Sequence, residues 1–153
     1  MIENVTFERT TYAQVPHKFE AGTGHIAGAI GLGEALDYLK HIGFQKAISH
    51  EEQLMAYTRQ AVEALPGVRL IGTSSRKVGV LSFVLKGTDT QEVGKYLDRE
   101  GIALRTGHHC AQPALRHFGV DSTIRPSLAF YNTQEEVNRF IRTVRDYIHF
   151  AKA

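Results

Sequence analysis

The chain has 153 residues, enough for one domain with its own core and too short to expect two. Its 18 basic and 16 acidic side chains nearly cancel, and no stripe of lysine and arginine marks a nucleic-acid partner. With 42% hydrophobic and 22% charged residues the composition argues against disorder, and no apolar run is long enough to span a bilayer.

Residues 1–24 mix β-formers (Val5, Thr6, Phe7, Thr10, Thr11, Tyr12) with Pro16 and Gly22, which predicts short extended segments and turns. Over 25–41 the residues Ile26, Ala29, Ile30, Leu36 and Leu39 recur at helical spacing. Gly28, Gly31 and Gly33 interrupt that helix, either as points of close backbone approach or as weak spots rescued by packing. Ser49 and Glu52 have capping-box spacing ahead of a stripe of Leu54, Tyr57, Ala61 and Leu65 that stops at Pro66-Gly67. Two β-branched, apolar runs at 68–71 and 78–85, joined by the polar stretch 72–77, predict a hairpin.

Asp89 and Glu92 cap a further helix with Val93, Tyr96 and Leu97 on its inner face, ending at Gly101. Residues 102–105 read as a strand. Pro113 starts a short helix that runs through His117 and stops at Gly119, and 127–131 reads as another strand. Asn132 with Glu135, or Thr133 with Glu136, caps a last helix carrying Val137, Phe140, Ile141, Val144 and Ile148 on one face. Strands divided by amphipathic helices, with one hairpin, predict an α/β fold of helices on a small, mostly antiparallel sheet.

The single cysteine, Cys110, closes the run Arg105-Thr106-Gly107-His108-His109-Cys110 and is followed by Ala111-Gln112-Pro113. A lone thiol makes no internal disulfide, so its value is packing or reactivity, and cationic neighbours favour the nucleophilic thiolate. One cysteine, with no cationic leader ahead of an apolar block, points to the reducing cytoplasm. Arg105 ends one predicted strand and Arg125 immediately precedes Pro126 at the entry to another, so both belong at one edge of the sheet. Paired guanidiniums grip a carboxylate at two points, and beside a thiol they point to a small amino or keto acid. Adjacent His108, His109 and Cys110 lack the separated spacing of a zinc site, so no metal is expected. Gly22-Thr23-Gly24 ahead of a helix is either a phosphate cradle or an ordinary cap by Thr23.

Four blocks together resemble the group II, Suf-type cysteine desulfurases, which use pyridoxal phosphate. They are Pro16-His17-Lys18-Phe19-Glu20-Ala21-Gly22-Thr23, Ile30-Gly31-Leu32-Gly33-Glu34-Ala35-Leu36-Asp37-Tyr38-Leu39, Arg105 through Pro113, and Ala129-Phe130-Tyr131-Asn132-Thr133. The blocks run in the family's order across nearly the whole chain, and the cysteine block lacks the longer, serine-rich loop of the group I enzymes. The resemblance implies the C-terminal portion of a fold-type I enzyme. Residues 1–45 would be the end of the large cofactor domain and a linker, and 46–153 the small domain.

By the same resemblance Cys110 is the nucleophile that takes sulfur from L-cysteine, leaving L-alanine, and holds it as a persulfide. Arg125 binds the substrate carboxylate with Arg105 as a second arginine. Gly22 and Thr23 reach the cofactor phosphate of the other subunit of a homodimer. Sulfur would pass to a Suf-type acceptor protein for iron–sulfur cluster assembly. Gly24-His25 departs from the family's proline-containing continuation, and Pro126 stands where alanine is frequent. The cofactor lysine, the acidic partner of the pyridine nitrogen and the stacking histidine are expected ahead of Met1, so this chain is expected to be inactive alone. A selenocysteine lyase, and a stand-alone sulfur-relay or dimerisation module, are the other readings the residues leave open.

Overall fold

The computed structural model describes residues 1–74 and 77–151, in two units, Met1–Phe44 and Gln45–Ala153. In the first unit, strands β1 (Ile2–Val5) and β2 (Thr10–Tyr12) form an antiparallel hairpin whose turn is tied by Thr6, its hydroxyl accepting from the amides of Glu8 and Arg9. A single 3-10 turn, His17–Phe19, leads through an extended loop to helix α1 (Ile26–Ile42), which ends at Gly43 with φ 89°. Extended segments, turns and a helix at this position are what the sequence predicts. Gly31 and Gly33 have open space where a Cβ would be, a Cβ on Gly28 would meet the His25 ring at 2.6 Å, and α1 buries no residue.

The second unit holds the core. Helix α2 (Phe44–Glu63) starts five residues ahead of the expected cap: Ser49 lies inside it, and its hydroxyl accepts from Gln53 rather than closing an N-terminus. Gln45, Lys46 and Ala47 are good helix formers, and their propensity carries the helix past the local capping signal. The buried stripe is Leu54, Met55, Thr58 and Val62, rotated from the expected one; Tyr57 points outward and bonds Asn138.

Strand β3 (Val68–Leu70) pairs antiparallel with β4 (Phe83–Leu85), confirming the hairpin; the Ser75-Arg76 part of its turn lies outside the described residues. Helix α3 (Thr90–Arg99) is capped by Asp89, which accepts from the amide of Gln91 at 2.6 Å. Strand β5 (Arg105–Gly107) begins three residues later than the predicted one and shares only Arg105 with it, and helix α4 (Gln112–His117) follows with Pro113 in its first turn. Strand β6 (Thr123–Arg125) precedes the run predicted as a strand, of which only Ser127 makes a bridge, to Val80. The long helix α5 (Gln134–Phe150) opens on the full capping box of Thr133 and Glu136.

The sheet order is β3-β4-β6-β5 and every pairing is antiparallel. Alternation along the strands sends Phe83, Leu85 and Ile124 into the core, where they meet Val62 of α2, Val93 and Leu97 of α3, and Phe140 and Val144 of α5. The expected α/β class, helices on a small antiparallel sheet, is the one observed. Arg69, Arg105 and Arg125 alternate onto the opposite face.

Candidate functional site

The site grows from the β5–β6 edge of the sheet. Arg105 and Arg125 are register partners, so the two side chains leave the sheet on one face about 5 Å apart at their roots. Pro126 keeps the residue before it extended, and Arg125 is the last residue of β6. Neither guanidinium takes part in an ion pair among the described residues, and the Nε of Arg125 is buried without a hydrogen-bond partner. A buried cationic donor left unmatched is costly, and a carboxylate at this edge relieves it.

Beyond Arg105 the chain turns sharply. Gly107 has φ 116°, and His109 and Cys110 both sit in the left-handed region at φ 52° and 56°. Two consecutive non-glycine residues there cost about 1–2 kcal/mol each, so neighbouring bonds must hold them. Four such contacts are present. The amide of Cys110 donates to Nδ1 of His108 at 3.0 Å, and the amide of Ala111 donates to the His108 carbonyl at 2.9 Å. His109 reaches back to β6, its Nε2 lying 3.2 Å from the Thr123 carbonyl and 3.0 Å from the Thr123 hydroxyl. The turn lifts Cys110 into solvent as a free thiol.

Burial is the largest influence on His109 and holds it below the ordinary imidazole range. The hydrogen bond to Thr123 opposes this, while the charges of Arg125, Arg105 and His108 reinforce it. Both arginines therefore lie within electrostatic reach of the ring adjoining Cys110. The sequence-predicted Cys110, Arg105 and Arg125 thus share one strand pair and the turn it carries.

Thr123 was not singled out by sequence reasoning. Its signal was present, since Thr123-Ile124-Arg125 is a β-rich run directly before a proline. No group of histidine, cysteine, aspartate and glutamate suited to a metal ion occurs among the described residues, and no described helix is long and apolar enough to cross a membrane.

Gly22 and Thr23 lie in the first unit. Gly22 has φ 76° with open space where a Cβ would be, and the amides of Gly22, Thr23 and Gly24 meet no acceptor among the described residues. Thr23 does not cap α1; His25 occupies that position and makes no side-chain cap bond. Free amides leading into a helix suit a phosphate, and these residues fit the phosphate end of a cofactor such as pyridoxal phosphate.

Residues 1–140 match the aminotransferase class-V family. The chain is 57% identical over 145 residues to the probable cysteine desulfurase 1 of Mycobacterium leprae, covering 95% of this chain and 24% of that protein. It is 52% identical over 145 residues to the cysteine desulfurase of Synechococcus elongatus, covering 95% of this chain and 23% of the relative. It superposes on the crystal structure of the Escherichia coli cysteine desulfurase CsdA, in an S-sulfonic acid form, with TM-score 0.86 and 34% identity, over 98% of this chain and 37% of that one. The chain thus spans about a quarter of the length of these two sequence relatives.

Proposed function

This chain belongs to the aminotransferase class-V family, and from that premise we propose that it is the nucleophile-bearing C-terminal part of a cysteine desulfurase. The observation that carries the reading is the shared strand pair. Arg105 and Arg125 stand in register with a buried guanidinium donor unmatched, and the turn bearing the exposed Cys110 is bonded to the same strand. A two-point grip by Arg125 and Arg105 fixes the substrate carboxylate. Cys110 then attacks the substrate sulfur as thiolate. An S–S bond forms, the carbon–sulfur bond breaks, and a proton completes the methyl group of L-alanine, leaving the sulfur as a persulfide on Cys110.

Pyridoxal phosphate, held at its phosphate by Gly22 and Thr23 of the partner subunit in a homodimer, supplies the electron sink that makes the carbon–sulfur bond labile. Exposure of Cys110 leaves its outer sulfur open to the thiolate of a Suf-type acceptor, which takes that sulfur and returns Cys110 to the thiolate. That delivery would serve iron–sulfur cluster assembly in the cytoplasm. The lysine that anchors the cofactor belongs to the rest of the enzyme, and residues 1–45 complete its large domain.

The full-length protein given L-cysteine and pyridoxal phosphate is expected to release alanine and gain 32 Da at Cys110, about the mass of one sulfur. Cys110→Ser is expected to lower alanine release by at least about 100-fold while leaving the melting temperature unchanged. Undiminished turnover by that variant overturns the assignment of the nucleophile. This chain alone is expected to release none.

A further inference from the structure

The turn that presents Cys110 holds a left-handed conformation at two successive non-glycine positions, and such a shape does not maintain itself. The two contacts made by His108 are local, linking neighbours within the turn. The bonds from His109 are different. They cross to Thr123, 14 residues away in sequence, which is the register partner of Gly107 and sits two positions before Arg125 on β6.

We propose that His109 is a positioning residue, which locks the Cys110 turn to the strand bearing Arg125 by donating its Nε2–H to Thr123. A carbonyl oxygen only accepts, so the 3.2 Å contact to the Thr123 carbonyl requires the proton on Nε2 of His109. Nδ1 is then a bare lone pair. It is buried without a donor, on a ring subject to the charges of Arg105, Arg125 and His108, where a lone pair is better placed than an N–H. Thr123 is 1% exposed, so its carbonyl is a fixed point rather than a mobile surface group. The lock makes the distance between thiol and carboxylate grip a property of one strand, and the attack geometry follows from it.

The inference rests on Cys110 being the nucleophile, and it is tested in the full-length protein with variants that separate the two ring nitrogens. Glutamine places an amide N–H near the position of Nε2, asparagine near that of Nδ1. His109→Gln is expected to keep kcat close to wild type. His109→Asn and His109→Ala are expected to lose about 10–100-fold in kcat with KM little changed, because the arginines still hold the carboxylate. Hydrogen exchange at the amides of Cys110 and Ala111 is expected to quicken in the Asn and Ala variants and to stay slow in the Gln variant.

Equal loss in Gln and Asn, or full kcat with unchanged exchange in Asn, overturns the lock. If His109→Ala fails to fold, the Gln and Asn pair decides alone. If the wild type releases no alanine from L-cysteine, the desulfurase reading fails, and hydrogen exchange still judges the lock.

Discussion

His109 has a second consequence, for stability. Burial, helped by the Arg125, Arg105 and His108 charges and opposed by the Thr123 bond, lowers its proton affinity in the folded state. An imidazole in the unfolded chain titrates near about 6.5, so below that pH the unfolded state binds the proton that the folded state refuses. The stabilisation is complete above the unfolded value and declines as the pH falls through it toward the folded one. The melting temperature is therefore expected to drop between pH 7 and pH 5, and His109→Gln is expected to flatten that drop. Identical slopes in the two proteins would assign the acid sensitivity elsewhere.

Among the elements, α3 and α5 start at the caps the sequence placed, whereas α2 runs past its Ser49 signal. At α5 the Thr133 hydroxyl accepts from the Glu136 amide at 3.2 Å and the Glu136 carboxylate accepts from the Thr133 amide at 2.8 Å, which also holds the Glu136 carboxyl below its usual range. Thr133→Ala is expected to cost about 1 kcal/mol, read as a shift in the urea midpoint at constant slope. No measurable shift would mean that α5 is fixed by its buried face alone. The strands were less legible, because each is only three residues long in the main sheet and its ends are set by partners rather than by its own residues.

The region beyond β6 illustrates that dependence. Gly79 lies so close to Leu128 that an added Cβ would overlap the Leu128 carbonyl oxygen, and the amide of Leu128 donates to the Gly79 carbonyl at 2.6 Å. That bond and the one from the Leu81 amide to the Pro126 carbonyl make the single bridge between Val80 and Ser127, and the ladder does not continue along 128–131. A run of β-formers therefore reads as a strand locally while its pairing is decided some fifty residues upstream. The site suffers less from this uncertainty. Cys110, Arg105 and Arg125 carry recognisable chemistry at fixed sequence intervals, whereas the role of Thr123 appears only once two strands are in register.

At the scale of the whole molecule the two units differ in what supports them. The second buries Val62, Leu81, Phe83, Val93, Leu97, Ile124 and Val144 completely, each 0% exposed, whereas α1 in the first has no buried residue. Its apolar side chains, Ile26 at 63% exposed, Ile30 at 65% and Leu36 at 45%, gain only part of what full burial supplies. Its three glycines each cost about 1 kcal/mol relative to alanine, and helices of this length without tertiary packing are marginal in water. Local opening is governed by such differences. For this chain in dilute solution, amides of 29–42 are expected to exchange orders of magnitude faster than those in the middle of α5. Limited proteolysis should cut within 1–44 before it touches the sheet. Protection of α1 matching that of α5 would show that its apolar face is covered in solution. The same peptides measured in the longer protein proposed above would then separate cover by its remaining residues from cover by another copy of this chain.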